Sequence, residues 1–168
     1  MRPDVQLGGL DDDALAQLVL NAVPDTAIRE VMPLTPGPAT WTPQRLREFI
    51  SFHEGRRGGL HGPIGEISFV VLVDGVASGI VRLQRVAPES LEVGMWLARS
   101  VRSRGIGGQV LADVALKAAE FGARTLVANT TTPNRAALAA LTRIGADIHA
   151  PTPDGRVGAE VDLTTYGK

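Results

Sequence analysis

Between positions 99 and 108 the chain reads RSVRSRGIGG, which crowds Arg99, Arg102, Arg104, Gly105, Gly107 and Gly108 into one short stretch. A helical pattern follows at once, with Leu111, Val114, Ala115 and Ala118 covering its apolar sides. The first N–H groups of a helix have no intrahelical acceptor. The helix dipole favours an anion there by about 0.3–1 kcal/mol at an exposed site. Glycines allow close approach to that backbone, at an entropic cost that something else must offset. The arginines add full positive charge, and their concentration is informative in a chain of net charge −1. The chemistry suited to this stretch is phosphate binding. The alternative is a solvated turn with incidental arginines.

Two common phosphate loops do not fit. The dinucleotide loop G-x-G-x-x-G, counted from Gly105, needs glycine or alanine where Val110 stands. The nucleoside-triphosphate run G-x-x-x-x-G-K-[ST] is missing from the sequence. The phosphates belong to some other kind of molecule.

The elements that must position this stretch are readable. A short strand at 4–7 precedes a helix that Asp11–Asp13 cap and charge, running to about Val23. The proline-rich segment MPLTPGPATWTP is neither helix nor central strand. Pro43 suits the first turn of a second helix with Thr42 as cap and Leu46, Phe49 and Ile50 as its apolar face. Strands follow at 66–73 and about 76–86, joined by Asp74–Gly75 as a hairpin turn, and a third alternates through Leu91, Val93, Met95 and Leu97. After the arginine-glycine stretch come a helix stopped by Gly122, a strand at 123–130, and a helix with Thr132 as cap and Pro133 at its first position. Two terminal strands with a turn at Asp154–Gly155 complete the order. Three meandering strands followed by a strand–helix–strand unit predict an α/β chain with a mixed sheet and helices on both faces.

Composition bounds the rest. With 168 residues, 44% hydrophobic and 21% charged, one domain over 1–168 with a full core is expected. The near-neutral charge argues against broad nucleic-acid binding. No apolar run reaches a membrane span, so no membrane role is expected, and a cytoplasmic location is the default. The chain has no cysteine, which removes disulfides, thiolate metal sites and cysteine nucleophiles. His53, His61 and His149 lack metal spacing and read as surface residues, so no metal is expected; His61 is a second candidate for the mouth of a substrate site.

The segment WLARSVRSRGIGGQVL resembles the acyl-CoA loop of the GNAT N-acetyltransferase superfamily, [RQ]-x-x-G-x-[GA], with Arg102, Gly105 and Gly107 matching. EVGMWLA is similar to the strand of the subgroup related to ribosomal-protein N-terminal acetyltransferases. NRAALAALTRIGA resembles the later segment N-x-x-A-x-x-x-Y-x-[KR]-x-G-F at Asn134, Ala137, Arg143 and Gly145, but Leu141 and Ala146 depart from it. The resemblance implies a mostly antiparallel sheet of about six to seven strands. It implies transfer of an acetyl group from acetyl-CoA to a primary amine of a small molecule or a protein N-terminus. The other reading is a non-catalytic acyl-CoA-binding regulatory module.

By transfer from the family, Arg102, Arg104, Gly105, Ile106, Gly107 and Gly108 hold the coenzyme A diphosphate. The pantetheine arm lies between strands ending near Leu97 and Asn129, pairs with backbone at Trp96 and Leu97, and meets Asn134. Asn134 as a plain helix cap is the alternative. Transfer to an amine needs a neutral nucleophile and a donor for the developing oxyanion. Glu92, on the Trp96 face of its strand with Gly94 leaving room between them, is the candidate base; the competing role is an ion-paired strand residue. Many members carry a tyrosine acid where this chain has Leu141. Its only tyrosine, Tyr166, is expected in a disordered tail. Trp41 and Phe52 are read as core, or as walls of the acceptor pocket. A homodimer is a further expectation, with the terminal strands as its edge.

Overall fold

The computed structural model describes residues 1–33 and 35–166. Its strands are β1 (Val5–Gly9), β2 (Glu66–Val73), β3 (Val76–Ala87), β4 (Ser90–Leu97), β5 (Thr125–Thr131), β6 (Asp147–Ile148) and β7 (Arg156–Asp162). They form one seven-stranded sheet in the order β1-β2-β3-β4-β5-β7-β6. Every neighbouring pair is antiparallel except β4 and β5, which run parallel. The helices are α1 (Asp12–Asn21), α2 (Ile28–Val31), α3 (Pro43–Glu54), α4 (Ile106–Glu120) and α5 (Arg135–Arg143).

Local chemistry sets these boundaries. Asp11 caps α1 by accepting from the Ala14 N–H at 2.8 Å. Thr42 caps α3 through the Arg45 N–H at 3.2 Å, with Pro43 in the first turn as expected. Asp74 and Gly75 both take positive φ, 50° and 80°, which a two-residue type I′ turn between β2 and β3 requires. The cap of α5 is Asn134 rather than Thr132, so Thr132 and Pro133 lie outside the helix.

Helices cover both faces. Trp96 and Met95 are consecutive in β4 and so point to opposite faces. The Phe49 ring of α3 lies edge-on to Trp96 with centroids 6.3 Å apart. On the other face, Gly107 of α4 stands beside Met95, and the Lys117 ammonium sits 5.1 Å above the Phe69 ring of β2. The proline-rich segment before α3 is tied down by buried Arg45, which donates to the Pro38 carbonyl at 3.0 Å and the Thr35 carbonyl at 2.9 Å and pairs with Glu48 at 2.9 Å. The sheet's outer edges are β1 and β6; β7 is interior, so the terminal edge offers only the two residues of β6. Among the described residues no helix is long and apolar enough to cross a membrane.

Candidate active site

The parallel pairing of β4 and β5 runs from Ser90–Thr125 to Val93–Ala128 and stops there. Both strands continue. β4 stays paired with β3 as far as Leu97, and β5 with β7 as far as Thr131. The sheet is therefore split between Gly94–Leu97 and Asn129–Thr131. The Ala98 N–H donates to the Ser78 carbonyl at 2.8 Å. Since backbone groups alternate along an edge, the peptide groups of Trp96 also face β3, while those of Met95 and Leu97 face the split. Trp96, expected to offer backbone there, offers its indole instead. Met95, not foreseen, takes its place.

The arginine-glycine stretch closes one end of this split. Gly105 caps α4 at φ 76°, and Ser103 also has positive φ, 60°. Among the described residues the N–H groups from Ser103 to Gly108 have no hydrogen-bond acceptor. Ile106 buries its side chain beneath them. A Cβ on Gly107 would meet only Met95 and Leu97 side chains, at 3.6 and 4.0 Å, and one on Gly108 nothing nearer than 3.8 Å. Packing within the chain requires neither glycine. The arginines divide. Arg102, expected over the anion, donates from Nε to the Leu97 carbonyl at 2.9 Å and from Nη2 to Glu30 at 3.0 Å, tying the end of β4 to α2. This contact holds the Glu30 carboxyl below its ordinary range. Arg104 is exposed, with its nearest carboxylate, Asp74, 4.0 Å away.

A cavity of about 690 Å³ opens on the Trp96 face, walled by α2, α3 and the strands from β2 to β5. Gly94, Trp96 and Asn129 from the split reach into it, and so do His53, Arg56, Glu66 and Arg82. Glu92 lies just below the split. It accepts from Asn129 Nδ2 at 2.9 Å, and Arg82 Nη2 stands 4.0 Å from its other oxygen. The space above Gly94, expected to be open to substrate, is filled by the Arg82 guanidinium: a Cβ there would stand 2.8 Å from Nε. His53, expected on the surface, is 4% exposed, and neither ring nitrogen has a partner. Burial first, then the charges of Arg56, Arg57 and Arg82, lower its pKa to about 4.

Asn134 accepts from the Ala137 N–H at 3.2 Å, the capping role. Leu141 is buried in the core. Tyr166 is not in a loose tail: it packs on the core, and its hydroxyl donates to the Ile144 carbonyl at 2.6 Å. Trp41 is half-buried and donates to the Thr26 carbonyl at 2.7 Å, while Phe52 lines the cavity. Among the described residues no group of three His, Asp or Glu side chains is placed to hold a metal.

Sequence reading missed His53, Arg56, Glu66 and Arg82. A signal existed for the first: Leu46, Phe49, Ile50 and His53 follow the i, i+3, i+4, i+7 stripe of a core-facing helix. Glu66, Arg82 and Gln84 share one face of β2 and β3, which only the pairing register reveals.

A split parallel pair beside a row of unpaired N–H groups is the arrangement that the resemblance to acyl-CoA-dependent transferases implies. The sequence matches the family described as acetyltransferase (GNAT) domain over residues 7–147, and the chain belongs to that family. It is thus an N-acetyltransferase with acetyl-CoA as donor. Among solved structures it is similar to RimL, a ribosomal L7/L12 alpha-N-protein acetyltransferase in complex with coenzyme A, with TM-score 0.76 and 16% identity over 94% of this chain and 93% of that one. An N-acetyltransferase from Staphylococcus aureus Mu50 gives TM-score 0.69 and 20% identity over 95% and 99%. The dodecameric spermidine N-acetyltransferase from Vibrio cholerae gives TM-score 0.69 and 12% identity over 98% and 96%. No curated protein sequence matches the chain.

Proposed function

We propose that the chain, acting as one domain, binds acetyl-CoA across the β4–β5 split and acetylates a primary amine held in the cavity beside it. The observation that carries this reading is the unpaired N–H row of Ser103–Gly108, set at the end of a split onto which the Met95 peptide groups and the Leu97 N–H face, open to an extended arm. The diphosphate accepts from that row, with Arg104 and the α4 dipole adding positive potential. Arg102 acts through Leu97 by fixing the last residue of the split. The thioester carbonyl then lies near the Leu97 N–H, a donor for the oxyanion. The amine nitrogen attacks the carbonyl carbon, the C–S bond breaks, and the nitrogen's proton must leave.

Glu92, which does not line the cavity but accepts from Asn129 at its edge, takes that proton through a water bridging the amine to its carboxylate. With Leu141 buried and apolar, the thiolate is protonated by solvent. The acceptor is an amine in two of the three named neighbours, a protein α-amine in one and spermidine in the other. Use of acetyl-CoA supports a cytoplasmic site of action. A homodimer is retained as part of the proposal.

The test combines a thermal shift with coenzyme A and a free-thiol release assay over an amine panel. Stabilisation and amine-dependent thiol release are expected. The absence of both thiol release and stabilisation would end the reading. Glu92→Gln should lower kcat by about tenfold or more with little change in the KM for acetyl-CoA; an unchanged kcat removes Glu92 as base.

A further inference from the structure

The cavity's charges are arranged in a way that acetyl transfer alone does not explain. Arg29, Arg56 and Arg82 line it together with Glu30 and Glu66. Glu30 is already engaged, bound to Arg102 at 3.0 Å and to the Ala27 N–H at 3.2 Å. Glu66 is 4% exposed, and one of its oxygens has no partner. Arg56 and Arg82 flank it from two sides, each 3.9 Å from the other oxygen and so beyond hydrogen-bond reach. Glu92 is no nearer to Arg82, at 4.0 Å.

Both guanidinium groups are held in place by contacts that leave donors free. Arg56 stacks on the Phe52 ring at 3.6 Å and donates from Nη1 to the Phe52 carbonyl at 3.1 Å. Arg82 lies on Gly94 and donates from Nη1 to Gln84 at 3.1 Å. Neither makes a hydrogen bond to a carboxylate among the described residues. Arg29, on α2, is exposed and has no acceptor among the described residues. Two oriented planar forks with unspent donors form a receptor for a carboxylate, which guanidinium groups bind bidentately. Counting Glu66 and Glu92 against Arg29, Arg56 and Arg82, the site keeps a net positive charge. The same field contributes to keeping His53 uncharged. A polycation entering this cavity would meet guanidinium groups on either side of the buried Glu66 carboxylate.

Resting on the acetyl-transfer reading, we infer that the acceptor is an amine that carries a carboxylate close by, bound between Arg56 and Arg82 with Arg29 at the rim. The amine end points towards the split, where Gly94, Trp96 and Asn129 reach into the cavity. The shared chemistry is that of an amino acid, free or as the acidic first residue of a peptide.

The test pairs acceptors of equal length. 4-Aminobutyrate is compared with 1,4-diaminobutane, and glutamate with its diamide, by thiol release with acetyl-CoA. Glu-Ala-Ala amide against Lys-Ala-Ala amide separates the peptide source from the free one. The carboxylate member should show at least about tenfold higher kcat/KM in one or more pairs, and Arg82→Gln and Arg56→Gln should erase that ratio. Arg82→Lys, which keeps the charge without the fork, should restore it only partly.

A binding measurement stands apart from activity. Glutarate, titrated calorimetrically, should bind the unmodified protein and fail to bind Arg56→Gln. Equal or better turnover of the diamines, or no glutarate binding, overturns the inference and leaves acetyl transfer standing. Glutarate binding without thiol release from any amine sinks the transfer reading instead.

Discussion

The guanidinium of Arg82 occupies the volume that a side chain on Gly94 would need. The two residues face each other in the β3–β4 register, and an added Cβ would stand 2.8 Å from Nε and 3.1 Å from Cζ. Gly94→Ala therefore moves the end of a flexible side chain rather than the backbone, so the fold should survive with a small change in Tm. The displaced guanidinium no longer presents its donors to the cavity. Acceptor kcat/KM should fall about tenfold or more, while coenzyme A still stabilises the protein as before. Steady-state kinetics with both substrates varied, beside a melting curve, checks this. A loss confined to coenzyme A binding would show that Arg82 has no part in the acceptor site.

The glycines of the N–H row separate fold from ligand. Gly105 holds φ 76° with nothing within 4 Å of a Cβ, so alanine there costs backbone strain of about 1 kcal/mol and lowers Tm. Gly107 lies inside α4 with ordinary contacts around a Cβ, so alanine should raise helix stability by roughly 0.5–1 kcal/mol. If a diphosphate rests on this backbone, Gly107→Val should weaken coenzyme A binding about tenfold or more without unfolding the protein. Tm and a coenzyme A titration on the same variants decide it. Unchanged affinity in Gly107→Val would move the diphosphate elsewhere.

Arg102 and Arg104 should respond differently to the same change. Arg102 joins Leu97 to Glu30, so Arg102→Ala should lower Tm, and Glu30→Gln should do so in the same direction. Arg104 makes no hydrogen bond among the described residues, so Arg104→Ala should leave Tm in place. It should weaken coenzyme A binding about threefold to tenfold at low salt, an effect that shrinks as salt screens the charge. A salt-independent effect would mean that Arg104 acts by packing.

These distinctions show what sequence could and could not supply. The element order was legible because the signals are local: Asp11 and Thr42 as caps, the Asp74–Gly75 turn, and alternation along Leu91–Leu97. The arginine-glycine stretch was legible because its helix start and its glycines are consecutive in the chain. The acceptor side was not. Arg56, Glu66, Arg82 and Glu92 come from the turn after α3 and from three strands, and they meet only through the tertiary fold and the pairing register. Asn134 was open to two readings because one side chain can cap a helix or bind a ligand, and its spacing fits both; the fold gives it the cap. Arg102 matched the family pattern at its position, yet the fold turns its guanidinium onto Leu97 and Glu30.

His53 makes stability depend on pH in a defined window. Burial and the nearby arginines lower its pKa from 6.5 to about 4 in the folded chain. Between those values the unfolded chain binds a proton that the folded chain refuses, so stability rises with pH across the window. The contribution is fully present above about pH 6.5 and is lost as pH falls towards 4, in total on the order of 3 kcal/mol. Glu30, Asp154 and Asp162, with lowered carboxyl pKa, lose stability only below their ordinary values of 4.5 and 3.8. Asp113, raised by burial, works in the opposite direction near the acid end. Urea unfolding at about pH 7.5 and about pH 5 should therefore show a drop in the native protein that is largely absent in His53→Gln. An equal drop in both proteins would mean that the ring is hydrated through the cavity and titrates as an ordinary histidine.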